Sequence, residues 1–190
     1  MTENKSQPTL VYQLKITLEG GYIRPPIWRR VQGDGDITLA RLHRIIQAVM
    51  GWYDCHLHLF EIDDVNYGVP YPDDFTQIEN EKSVKLNKVV PYEKSRFLYE
   101  YDFGDSWGHD ILVEKILPSD PDTKYPVCLK GKRACPPEDI GGEAGYSMLL
   151  LGLENPKNRE YKDFVDQVDG VFDPEEFDLE QINLRLRKIR

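Results

Sequence analysis

The chain has 190 residues, 40% of them hydrophobic and 11% aromatic, which is too rich in large apolar side chains for a disordered chain and suits one domain. Its net charge of −9 and pI near 5.0 exclude the broad basic surface that grips duplex phosphates, although the charge is uneven: residues 1–95 hold 11 of the 24 basic and 13 of the 33 acidic side chains. The opening MTENKSQPTL lacks a secretion-signal layout, no apolar run approaches the ~20 residues of a membrane helix, and three cysteines are too few for a disulfide framework, so a cytoplasmic protein with no membrane contact is expected.

From Leu10 to Leu18 apolar residues alternate with Gln13, Lys15 and Thr17, the period of a strand with one buried face. After Gly20-Gly21 and Pro25-Pro26, residues 27–31 read as a second strand that forms a hairpin with the first. Thr38 caps a predicted helix whose apolar positions Leu39, Leu42, Ile45, Ile46, Val49 and Met50 recur at three- and four-residue steps, and Gly51 closes it. His43 and Arg44 are expected at the edge of that face or beyond it, partly exposed. Residues 55–62 alternate as a strand, and residues 63–95 read as a long acidic loop with one short strand near Ser83 to Leu86.

Residues 97–103 place Phe97, Tyr99, Tyr101 and Phe103 on one face, and residues 109–117 follow as the partner strand of a second hairpin. Pro, Gly and Asp dominate 118–142, which reads as loop. Helices are predicted around 146–153 and 161–168, at Asp173-Pro174-Glu175-Glu176 from its capping signature, and from Asp178 onward, where Leu179, Ile182, Leu186 and Ile189 form one stripe. The predicted fold is α+β: an antiparallel or mixed sheet of about five strands packed against the helix of the N-terminal half, then a helical C-terminal part, all in one domain spanning 1–190.

His56 and His58, two apart in a strand, would project from one face and suit two ligands of one divalent metal such as zinc, nickel or manganese. His109, Asp102, Asp105 or the Cys128 and Cys135 thiolates are the further donors available. Gly104 and Gly108 mark a tight turn in which Asp102 and Asp105 either cap amides or face a cleft, with Trp52 and Trp107 as pocket walls or core edges. The Cys135 to Gly145 loop presents Glu138 and Asp139 near a helix start. Arg24, Arg29, Arg30, Arg41 and Arg44 form a local basic patch or a solvated face.

Four segments, Pro26-Ile27-Trp28-Arg29-Arg30, Leu42-His43 through Met50-Gly51-Trp52 to His56-Leu57-His58, Tyr101-Asp102-Phe103-Gly104-Asp105 with Trp107 and His109, and Cys135-Pro136-Pro137-Glu138-Asp139 with Gly141-Gly142 and Gly145-Tyr146, together resemble the plasmid pRiA4b ORF-3-like family. With Phe172-Asp173-Pro174 and the 177–183 stretch, the resemblance spans nearly the whole chain. It implies an α+β domain of bacteria and archaea, sometimes labelled transposon passenger or resolvase-like by gene context, without an established reaction.

The leading expectation is a non-catalytic binding or interaction domain taking a protein or small-molecule ligand, with Arg29, Arg30, Trp52, Tyr101, Asp102, Asp105, Trp107, Glu138 and Asp139 as binding residues. A metal-dependent hydrolase or nuclease using His56, His58 and His109 is the second reading, and nucleic-acid association through the arginines, disfavoured by net charge, is the third.

Overall fold

The computed structural model describes residues 9–70 and 77–189. Their strands form one mixed sheet of eight, in the order β5-β4-β3-β6-β7-β1-β2-β8. The strands are β1 (Leu10–Leu18), β2 (Trp28–Asp34), β3 (His58–Ile62), β4 (Val65–Gly68), β5 (Ile78–Asn80), β6 (Arg96–Tyr101), β7 (Trp107–Pro118) and β8 (Val127–Lys132). Every pairing is antiparallel except β4 with β5. Five helices accompany the sheet: α1 (Leu39–Met50), α2 (Leu86–Val89), α3 (Gly142–Glu154), α4 (Lys162–Asp166) and α5 (Leu179–Leu186).

The expected sheet of about five strands is therefore corrected to eight, the three further strands being β4, β5 and β8. β3 turns into β4 through Asp63 and Asp64 alone, both at positive φ (50° and 62°), which is the left-handed pair that a two-residue hairpin requires. Neither is a glycine, so the turn hides inside an acidic run. β5 has only three residues, and residues 71–76 of the expected loop lie outside the described residues. β8 contains Gly131 and two lysines, Lys130 and Lys132, a composition that conceals a strand. The short strand expected near Ser83 to Leu86 is a single bridge, Thr38 with Lys85, after which α2 begins.

α1 forms as expected. Thr38 Oγ1 accepts from the Arg41 amide at 3.2 Å, and Gly51 ends the helix at φ 102°. Its face of Leu39, Leu42, Ile45, Ile46, Val49 and Met50 packs with Leu14 and Ile16 of β1, Phe60 of β3, Tyr99 of β6 and Ile111 of β7 in one core. Each such fully buried aliphatic or aromatic side chain stabilises the fold by roughly 1.5–3 kcal/mol. The helical layer also draws on the C-terminal part, because α5 packs on both α1 and β8. Asn183 of α5 closes the free edge of β8 by accepting from the Cys128 amide (2.9 Å) and donating to the Cys128 carbonyl (3.0 Å). The helix expected at Asp173-Pro174 is only a turn: the Pro174 carbonyl accepts from the Ala134 amide, Glu175 pairs with Arg133, and these contacts hold the segment outside helical geometry.

Candidate metal centre

His56 lies in the bend between α1 and β3, not in the strand, because β3 begins only at His58. The two histidines therefore do not share a strand face. The bend is fixed at several points. Asp54 sits at φ 57°, its amide donates to Gln47 Oε1 at 3.0 Å, the Cys55 amide donates to Tyr101 Oη at 3.1 Å, and the Leu57 carbonyl accepts from the Asp102 amide at 2.9 Å. Trp52 is buried and donates its indole N–H to the Pro136 carbonyl, joining the end of α1 to the 133–141 loop.

The β6–β7 turn supplies one carboxylate. Asp102 has φ 57°, and its Oδ1 accepts from the Gly104 amide at 2.9 Å and the Asp105 amide at 3.3 Å, so Oδ2 is the oxygen left for His56. Asp105 in turn accepts from the Gly141 amide at 3.1 Å and ties this hairpin to the entry of α3. Glu138 is held the same way. Its Oε1 accepts from the Tyr53 amide at 2.8 Å and from the Tyr101 hydroxyl at 3.1 Å, while Oε2 faces His56. Burial, with the Cys55 and Glu138 contacts, raises the Tyr101 phenol above its ordinary pKa and keeps its proton available for Glu138.

Three carboxylates thus surround one imidazole nitrogen. From His56 Nε2 the distances are 3.0 Å to Asp139 Oδ1, 3.6 Å to Asp102 Oδ2 and 3.9 Å to Glu138 Oε2. The Asp139 oxygen lies off the axis along which a ring N–H bonds, and both His56 Nε2 and Glu138 Oε2 are buried without a hydrogen-bond partner. Donor atoms of His56, Asp102 and Asp139 lie within 4.8 Å of one another, as do those of Cys55, His56 and Glu138. Ligands that each sit about 2.0–2.3 Å from one metal are separated by roughly 3–4.5 Å. The three distances from His56 Nε2 fall in that range, and the carboxylates gather negative charge where a cation would offset it.

His58 belongs to a neighbouring cluster. Its Nε2 pairs with Glu81 Oε2 at 2.8 Å, and its ring stacks on His43, with centroids 3.5 Å apart and planes 5° from parallel. His43 Nε2 faces Asp54 Oδ1 at 2.8 Å and Nδ1 faces the Tyr99 hydroxyl at 2.9 Å. Gln47 donates to that same hydroxyl at 3.1 Å, so Tyr99 donates to Nδ1 and the network assigns neutral His43 with its proton on Nε2. Burial, then the nearby His58, lowers the His43 pKa in agreement with that form. Donor atoms of His43, Asp54 and His58 also approach within 4.8 Å, but parallel rings do not aim their nitrogens at a common point. The expectation of a partly exposed His43 is overturned: it is 4% exposed. The signal was present, since 39, 43, 46 and 50 follow helical spacing along the apolar face.

The remaining expected site residues separate by environment. His109 points into the core, 0% exposed, with Nδ1 at 3.2 Å from the Tyr99 carbonyl and its ring edge-on to Trp52. Trp107 is buried beside Trp52. Arg29 is buried under Phe177, and Arg30 makes a two-point ion pair with Glu114, at 2.6 Å for each nitrogen. Burial raises the thiol pKa of both Cys128 and Cys135. Cys55, Asp54 and Glu81 enter the two clusters although the sequence did not single them out as donors.

The model of the family described as plasmid pRiA4b ORF-3-like protein matches residues 10–181. The uncharacterized protein y4hQ of Sinorhizobium fredii is 36% identical over 152 residues, which is 80% of this chain and 77% of that protein. A crystal structure of the Methanosarcina mazei Go1 protein of unknown function MM3350 superposes with a TM-score of 0.81 at 39% identity, covering 92% of this chain and 98% of that one. No described helix is long and apolar enough to cross a membrane. This chain, with its α+β fold, belongs to the plasmid pRiA4b ORF-3-like family.

Proposed function

We propose that the chain is a cytoplasmic binding domain whose ligand is a divalent cation held by His56, Asp102, Glu138 and Asp139, with Cys55 as an additional donor. The observation that carries this reading is the pair of unpartnered buried atoms, His56 Nε2 and Glu138 Oε2, 3.9 Å apart. Asp102 and Glu138 each have one oxygen committed to protein donors and the other turned toward His56, the arrangement by which supporting hydrogen bonds orient metal ligands. One imidazole, carboxylates and a thiol suit zinc, nickel or manganese.

Chelator-stripped protein titrated calorimetrically with zinc, nickel and manganese is expected to take up one ion, and His56→Ala to abolish the uptake. Protein that takes up none of the three overturns the reading. Asp139 is 74% exposed in its side chain, which leaves the centre open to water and supports metal-assisted hydrolysis as a second reading. Metal-loaded protein with no turnover of a phosphodiester or ester probe removes that second reading and leaves the binding role intact.

A further inference from the structure

The face of the sheet opposite the helices carries a patch that the metal centre does not use. Along β1 and β2 the buried residues Leu14, Ile16, Arg29 and Val31 alternate with the outward Lys15, Thr17, Trp28 and Arg30. In the register of the sheet Lys15 lies directly opposite Arg30, and Arg30 directly opposite Lys130 of β8. Three cations thus form a row across three strands. A second row, Thr17, Trp28 and Lys132, runs beside it. Directly opposed residues have Cβ atoms about 4.5–5.5 Å apart, and like charges so placed destabilise a sheet. Glu114 pairs directly with Arg30 and its charge also reaches Lys15, but among the described residues no carboxylate stands within ion-pair distance of Lys15, Lys130 or Lys132.

Both Lys15 and Arg30 approach the Trp28 ring, at 5.4 and 5.3 Å from its centroid. Amides add neutral hydrogen-bonding groups at the same level, since Gln32 donates to Gln13 at 3.0 Å. An open strand face with cations beside an aromatic ring has the chemistry that holds a sugar–phosphate backbone and stacks an unpaired base. A flat sheet does not enter a duplex groove as a helix does. The chain's net charge of −9 does not decide the matter, because charges beyond about 8 Å are largely screened at physiological salt and the local row governs contact.

We infer that the outward face of β1, β2 and β8 binds single-stranded nucleic acid through Lys15, Arg30, Lys130 and Lys132, with Trp28 as a stacking surface. The inference does not rest on the metal centre. The test is fluorescence anisotropy of a labelled single-stranded oligonucleotide with full-length protein, metal-stripped and metal-loaded. Expected are binding at low salt in both forms and a log–log salt slope of about −2 to −3, the value for three to four phosphate contacts on a single strand. Lys130→Glu with Lys132→Glu should weaken binding more than about tenfold, while Lys157→Glu with Arg159→Glu, an equal charge change on the α3–α4 connection, should leave it within about twofold. All four positions are exposed, so both double variants should melt like the parent. Absence of binding, or equal loss in the two double variants, overturns the inference. So does equally tight binding of poly-glutamate that the Lys130 and Lys132 changes abolish, since it would assign the patch to an acidic protein.

Discussion

His43 of α1 and His58 of β3 stack face to face at 3.5 Å, and each imidazole ends on its own carboxylate, Asp54 or Glu81. Through Asp54 the stack fixes the bend that carries Cys55 and His56, so it determines where the candidate metal ligands stand. His43→Leu keeps the apolar volume but leaves Asp54 without its ring partner and the buried Tyr99 hydroxyl without its acceptor. A loss of roughly 1–3 kcal/mol is expected from the unsatisfied groups. Urea denaturation of the variant measures it, and an unchanged midpoint would show that the stack does not hold the bend.

Tyr101→Phe addresses the metal centre without removing a ligand. The change deletes the hydroxyl that donates to Glu138 and accepts from the Cys55 amide, so two groups at the centre lose their anchor. Removing such an orienting group lowers metal affinity about 10- to 100-fold. Glu138→Gln should lower it at least as much, because an amide is a poor metal ligand. Both variants are to be titrated with zinc alongside the parent. Parental affinity in Tyr101→Phe would mean that the Glu138 carboxylate needs no orientation from the tyrosine.

The helix from Leu39 to Met50 and the two hairpins were legible because one period and one cap or turn specify each of them locally. What the sequence concealed depends on partners distant in the chain. β8 is a strand because β2 offers it an edge and Asn183 seals the other side, and neither fact is written in VCLKGK. The Asp173-Pro174 capping signature was overridden by Arg133 and Ala134, some forty residues earlier. For the candidate centre, Tyr101, Asp102, Glu138, Asp139 and His56 were all singled out as residues, and the structure brings them together. The grouping differs from the expected one because residues 52–57 form no strand, and the bend there sends His56 and His58 into different clusters.

His109 should shape the acid limb of stability. Burial, only partly offset by the Tyr99 and Trp107 backbone contacts, lowers its pKa from 6.5 to about 4 in the folded chain. The unfolded chain binds the proton first. The stabilisation is therefore complete above about pH 6.5 and is lost as pH falls toward 4, with a full extent of about 3 kcal/mol. His109→Gln keeps a donor for the Tyr99 carbonyl and removes the titration. Its stability, measured by urea unfolding from pH 7 to 4, should fall less steeply than that of the parent. Parallel curves would assign the acid sensitivity to other groups.

Arg29 has the sequence appearance of a binding arginine and the structural position of a pin. Its guanidinium, 2% exposed, donates to four carbonyls: Val49 in the last turn of α1, Trp28 of β2, and Lys132 and Arg133 at the end of β8. No carboxylate shares in these bonds. The carbonyl dipoles, the negative end of α1 and the face of Phe177 compensate the charge. Arg29→Lys retains that charge but offers three donors from a single nitrogen, which cannot reach four carbonyls spread around a planar fork. Leaving carbonyls unpaired while the ammonium stays buried should lower stability by roughly 2–4 kcal/mol. A thermal melt should show the loss for Arg29→Lys, whereas Arg30→Lys one position on should change little, since its outward pair with Glu114 is partly exposed and worth about 1 kcal/mol or less. Equal shifts in the two variants would mean that Arg29 acts as a surface charge and not as the link between α1, β2 and β8.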